Sequence, residues 1–257
     1  GLLVSLVLFD GGLNLRFPGG PIKSIVLRIS SIRLIISLAA GFLAAHWFAG
    51  LGWSVAGVYS AIVLATGPTV VTPLVRQIRL ASPLSDVLEA EGLILEPIGA
   101  VLALLLLELV VGDLHGWREL FLGLLSRLGG GVLIGSIAGL LLSEGLKRLR
   151  SEPYIGIRLQ LTLGVIFLLY GVCEWLLPES GLPASVAAGF VVGQRPSTQA
   201  NELDKLIREL AQLAITMLFP LLAADVSWGE LSPLGWGGIT CVLFLMIVVR
   251  PIAVSIA

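Results

Sequence analysis

The sequence predicts an all-α, polytopic membrane protein, and three observations carry that prediction. The chain is 56% hydrophobic with 13% charged residues and a mean hydropathy of +1.00, far above the balance of a soluble domain. Several apolar runs approach or pass the roughly 20 residues that an α-helix needs to cross the hydrocarbon core, and none shows the roughly ten-residue alternation of a membrane β-barrel. Lys and Arg recur in every second connection, the pattern of cytoplasmic loops.

About nine spans can be read from the apolar runs, near 1–15, 26–48, 53–75, 86–111, 119–142, 157–177, 181–194, 206–224 and 236–257. Those at 1, 181 and 206 are short, as truncated, broken or buried helices would be. Arg16, Lys23, Arg28 and Arg33 are assigned to the connection after the first span, and Arg76 and Arg79 follow the third. Lys147, Arg148, Arg150 and Arg158 follow the fifth, and Arg195, Lys205 and Arg208 follow the seventh. The alternate connections hold only Arg118, and Trp47, Trp53, Trp117, Trp175, Trp228 and Trp236 lie in or beside them, as interfacial anchors do. Gly1 is thereby placed outside and Ala257 near the cytoplasm. The chain starts without Met or signal peptide and stops within an apolar run, so it reads as an internal piece of a longer protein.

The formal net charge of -1 argues for neither a nucleic-acid partner nor a polybasic lipid-binding tail. Cys173 and Cys241 lie in apolar runs and read as packing residues. CxxC, HExxH, P-loop and GxGxxG patterns are absent, so no cofactor site is expected.

Three spans are irregular. The third contains Ala65-Thr66-Gly67-Pro68-Thr69 and then Pro73. Proline removes a helical hydrogen bond and glycine weakens the helix, so a break near Gly67-Pro68 is favoured over a simple kink. Unwound backbone in a membrane needs cover from protein or a water-filled cavity, and transporters place binding sites at such breaks. The fifth span carries Gly129-Gly130-Gly131, Gly135 and Gly139, a small-residue face suited to close packing. Charged and apolar positions alternate at helical spacing over 201–212, which predicts an interfacial helix leading into the eighth span.

Within the fourth span, Glu91-Gly92-Leu93-Ile94-Leu95-Glu96-Pro97 sets two carboxylates inside an apolar run. Acids held at such depth are by default candidates for ion or proton handling. Counted from Asp86 at 1.5 Å per residue, Glu91 lies about 8 Å deep and Glu96 about 15 Å deep, the middle of a core about 30 Å thick. Arg250 falls about 9 Å from the cytoplasmic face, level with Glu91, and a structural ion pair between them is expected because a lone buried Arg is strongly unfavourable. The two glutamates point about 140° apart around the helix, so Glu96 is left free of a fixed cation. Asp10 reads either as part of a cytoplasmic approach or as a capping or salt-linked group.

Leu8-Phe9-Asp10-Gly11-Gly12-Leu13, Ala65-Thr66-Gly67-Pro68-Thr69, Glu91 to Pro97, Ser180-Gly181-Leu182 with Gly189 and Gly193, and Arg250-Pro251 together resemble the NhaP-type sodium/proton antiporters of the cation/proton antiporter superfamily. The resemblance covers nearly the whole chain. It implies that the family's ion-binding carboxylate falls on Glu96, the first acid of the same motif on Glu91, its arginine partner on Arg250, and the threonine beside the unwound segment on Thr66. Gly67 stands where many members have Asp, and Leu95 where they have Asn. An inverted-repeat antiporter bundle is implied over 1–257, a dimer in the cell membrane that lacks leading and trailing helices here and serves pH homeostasis.

The expected function is a secondary antiporter exchanging a monovalent cation, Na⁺ or else K⁺ or Li⁺, for H⁺. Proton and cation would compete at Glu96, a transient Na⁺ ligand, with Thr66, Thr69 and the carbonyls freed at Gly67-Pro68 as further oxygen ligands. A cation channel or another ion-coupled transporter is the alternative, although no selectivity-filter pattern or charged pore ring is evident. An intramembrane enzyme is disfavoured, because His46 and His115 both fall in external connections.

Overall fold

The computed structural model describes residues 1–15, 21–64, 78, 84–114, 116–149, 155–195, 201–225, 229 and 235–256. The regular elements among them are all helical: α1 Leu2–Asn14, α2 Pro21–Trp47, α3 Trp53–Leu64, α4 Leu84–Val111, α5 Trp117–Arg148, α6 Ile155–Leu176, α7 Gly181–Gly193, α8 Asn201–Asp225, α9 Gly235–Phe244, a π-helical turn Leu245–Val249, and α10 Arg250–Ile256. Each expected span has a helix at its place, but among the described residues five have both the length and the apolar composition to cross a bilayer: Val26–Trp47, Ser85–Val111, Trp117–Arg148, Gly156–Leu176 and Gly235–Ala253. Helices α1, α3 and α7 are apolar but short. The proposed break at Thr66 to Thr69 lies outside the described residues, as does most of the segment that follows α3. The charged stretch at 201–212 is not a separate interfacial helix; it runs unbroken into the apolar half of α8.

The described indoles lie at helix ends. Trp47 closes α2, Trp53 opens α3, Trp117 opens α5, Trp175 lies at the end of α6 and Trp236 at the start of α9, and all five are exposed. Exposed indoles at helix ends are the positions that interfacial anchors take.

The chain divides into two compact units. One takes residues 1–16, 68–89 and 125–220, and α7 lies at its centre, packed on α1 and α6. The reason is composition: α7 is built largely of Gly, Ala and Ser, so neighbouring backbones approach closely. A methyl group at Gly12 would strike the Val186 carbonyl, one at Gly189 the Phe9 carbonyl, and one at Gly193 the Leu13 carbonyl. On the α5 side, a methyl at Gly135 would strike the Ala184 carbonyl, and one at Gly139 would meet the Ala188 carbonyl oxygen at 2.7 Å. The small-residue face read in the fifth span therefore does pack, through Gly131, Gly135 and Gly139, whereas Gly129 faces open space. Phe9, Leu146, Ile166, Cys173, Ala188 and Ile207 fill the core around this crossing. Gly189→Ala is accordingly expected to lower stability by about 1–3 kcal/mol through overpacking, while Gly129→Ala is expected to be neutral or slightly stabilising. Thermal melts of the two variants in detergent should separate them by several degrees.

The entry into α7 uses Glu174, near the end of α6. The Glu174 carboxylate accepts hydrogen bonds from the backbone N–H of Glu179 at 3.0 Å and of Gly181 at 3.2 Å, satisfying donors at the helix start. Ser180 Oγ donates to the Cys173 carbonyl at 3.0 Å. These bonds hold Glu179 at φ 64°, a left-handed conformation unusual for a side-chain-bearing residue. Burial, and then the neighbouring Glu174 charge, push the Glu179 carboxyl above its ordinary range.

The second unit takes residues 17–67, 90–124 and 221–257. Here α2 packs on α3, α9, the π-helical turn and α10. Ala44, Cys241, Leu245 and Val249 form its small core, with Tyr59 and Val63 against them. Both cysteines are free and buried. The π-helical turn has a local cause: Pro251 lacks an N–H and its ring would crowd the carbonyl four residues back. The helix widens just before it, so that the Arg250 N–H donates to the Leu245 carbonyl, five residues earlier.

Candidate ion-binding site

Helix α4 supplies both central carboxylates. Its sequence is dominated by Leu, Ala, Val and Ile, with Asp86 in the first turn where the helix dipole favours an acid. Pro97 sits within this helix. Having no N–H, it deprives the Leu93 carbonyl of its usual partner, so a backbone oxygen is left one turn before Pro97 and close in sequence to Glu96. That oxygen was legible from the proline but was missed.

Glu91 is buried, with 2% of its side chain exposed, and Arg33 Nη1 donates to its Oε1 at 2.6 Å. Arg33 is itself 11% exposed. This corrects the partner assigned from sequence. Arg250, on α10, is exposed and makes no ion pair with Glu91 among the described residues, although it lies close enough to both Arg33 and Glu91 to feel their charges. Arg33 was grouped with the cytoplasmic connection, but it belongs to the body of α2. Counted from Val26 it is about 10 Å into its span, and Glu91 is about 9 Å into its own from Ser85, so the two meet at one depth.

Glu96 lies mostly inside the protein, and its Oε2 is buried without a hydrogen-bond partner among the described residues. Its neighbour Leu95 is 1% exposed and points into the core. A buried polar atom without a partner is costly and rare, so its presence marks a place where something else is expected to bind. A proton or a hard monovalent cation would satisfy a carboxylate oxygen.

The second unit thus contains Glu91, Glu96, Arg33 and Arg250, of which Glu91 and Arg33 are bonded to each other. Thr66, Gly67 and Thr69 lie outside the described residues. Asp10 belongs to the other unit, where it is 5% exposed within α1. Asn14 Nδ2 donates to Asp10 Oδ1 at 2.8 Å, and Arg208 Nη2 donates to Asn14 Oδ1 at 2.6 Å, so Asp10 heads a hydrogen-bonded chain.

Apolar helices of membrane-crossing length, with ionisable groups held inside them and exposed tryptophans at helix ends, define a multi-pass integral membrane protein. The chain belongs to the sodium/hydrogen exchanger transmembrane family, whose pattern it matches over residues 2–257. It is 26% identical over 211 residues to the probable Na(+)/H(+) antiporter 2 of Methanocaldococcus jannaschii, covering 77% of this chain and 49% of that protein. It is also 25% identical to the Na(+)/H(+) antiporter NhaH of Halobacillus aidingensis, covering 91% and 59%, and 24% identical to NhaH of Halobacillus dabanensis, covering 90% and 59%. The chain therefore spans roughly half to three-fifths of the length of these relatives. The family is one of exchangers, not enzymes.

Proposed function

We propose that this chain is the ion-exchanging core of a secondary antiporter that swaps Na⁺ for H⁺ by competition at Glu96. The observation that carries the reading is the buried Glu96 oxygen on α4, without a partner among the described residues, in a chain whose relatives carry Na(+)/H(+) antiporter names. The Leu93 carbonyl, Thr66, Thr69 and the backbone at Gly67 are the proposed companion ligands. K⁺ and Li⁺ are weaker candidates than Na⁺. An inverted-repeat arrangement, a homodimer and a cell-membrane role in pH homeostasis belong to the same proposal.

Only one carboxylate, Glu96, is assigned to the exchange site. It binds one proton or one monovalent cation, so both loaded states carry the same charge. Exchange is therefore expected to be electroneutral, about one for one. The test uses the full-length protein in proteoliposomes, with Na⁺ as the transported ion and the voltage clamped by K⁺ and valinomycin. Rates indifferent to voltage support the mechanism. A reversal point that follows voltage rejects it, and Na⁺ current without opposing proton movement identifies a channel instead.

A further inference from the structure

Glu91 and Glu96 share one helix but have opposite situations: Glu91 is bonded to Arg33, while Glu96 keeps an oxygen without a partner among the described residues. We propose that Arg33 is a positioning residue for the exchange reaction, fixing the rotation of α4 so that Glu96 faces away from Arg33 and presents its oxygen to the transported ion. This inference rests on the reading of Glu96 as the exchange site.

The geometry is specific. A charge-assisted bond at 2.6 Å between nearly buried groups is short and directional, which an apolar contact is not. Side-chain atoms ride about 5–6 Å from a helix axis, so a turn of about 20° moves them by roughly 2 Å, enough to spoil an ion site. Holding Glu91 on one side sets Glu96 about 140° around the same helix. Arg250 is poorly placed for this task, since it is exposed, follows the π-helical turn and does not pair with Glu91 among the described residues. Arg33 also lies on α2, whose packing on α3 and α10 gives the anchor a firm base.

The test measures Na⁺-dependent proton flux of the full-length protein in proteoliposomes, normalised to folded protein. Arg33→Lys keeps the charge but loses the planar fork, and its apparent KM for Na⁺ is expected to rise about fivefold with the maximal rate within about twofold. Arg33→Gln is expected to raise KM about tenfold or more, and Arg33→Gln with Glu91→Gln to match the worse single variant, because one residue acts through the other. Should Arg33→Gln alone fail to fold, Arg33→Lys and the neutral double variant carry the comparison. A wild-type KM in every folded variant, multiplied single effects in the double variant, or reduced yield as the sole change each overturn the proposal. Glu96→Gln serves as the reference: if it retains exchange, the site reading itself fails, whereas an inactive Glu96→Gln beside a wild-type KM in the Arg33 variants rejects Arg33 alone.

Discussion

Glu96→Gln is expected to reduce Na⁺-driven proton movement to the background of empty liposomes while the protein still reaches the membrane folded. Gln keeps the size and the acceptor oxygen but removes the charge that both the proton and the cation require. Losing about 3 kcal/mol of charged interaction at about 1.4 kcal/mol per decade corresponds to a drop of at least about a hundredfold. Stability should move the other way or not at all, because the carboxylate has an oxygen without a partner among the described residues and an amide is less costly to bury. The measurement pairs flux in proteoliposomes with a thermal melt of the same preparation. Wild-type exchange in that variant would reject Glu96 as the site, and a collapsed melt would recast it as a structural residue.

The helical membrane class was legible because it depends on a one-dimensional signal, the length and composition of the apolar runs. Helix pairing was less accessible. The glycines of α5 announced a close contact, but nothing in their spacing named α7 as the partner, and α7 itself read only as a short span. Arg33 shows the same boundary between depth and direction. Its depth matches Glu91 only when it is counted within α2, and a place in a positively charged connection hides that match. Arg250 met the same depth criterion from the opposite end of the chain, so depth alone could not choose between two cations. Lateral position decided, and lateral position is a property of packing. Glu174 is a parallel case: a span-end carboxylate reads as solvated, and its use in satisfying the start of α7 depends on a turn whose Glu179 conformation no local pattern signalled.

Glu91→Gln carries the second large expectation, and here the loss is in folding rather than in binding. The variant leaves the Arg33 guanidinium almost buried against a neutral amide. Removing one member of a buried ion pair costs about 3–5 kcal/mol, and the retained amide oxygen favours the lower end. Arg250 adds to the penalty, since it lies near Arg33 and loses the same compensating charge. The folded yield in membranes and the melting temperature in detergent should both fall clearly, and high salt should recover little because the pair is shielded from solvent. Neutralising Arg33 in the same protein is expected to restore part of the loss. A double-mutant cycle over Glu91→Gln and Arg33→Gln should therefore show a coupling energy of at least about 1 kcal/mol. If the two losses simply add, Arg33 and Glu91 do not stabilise each other in the membrane, and the pair would have no claim to anchor α4.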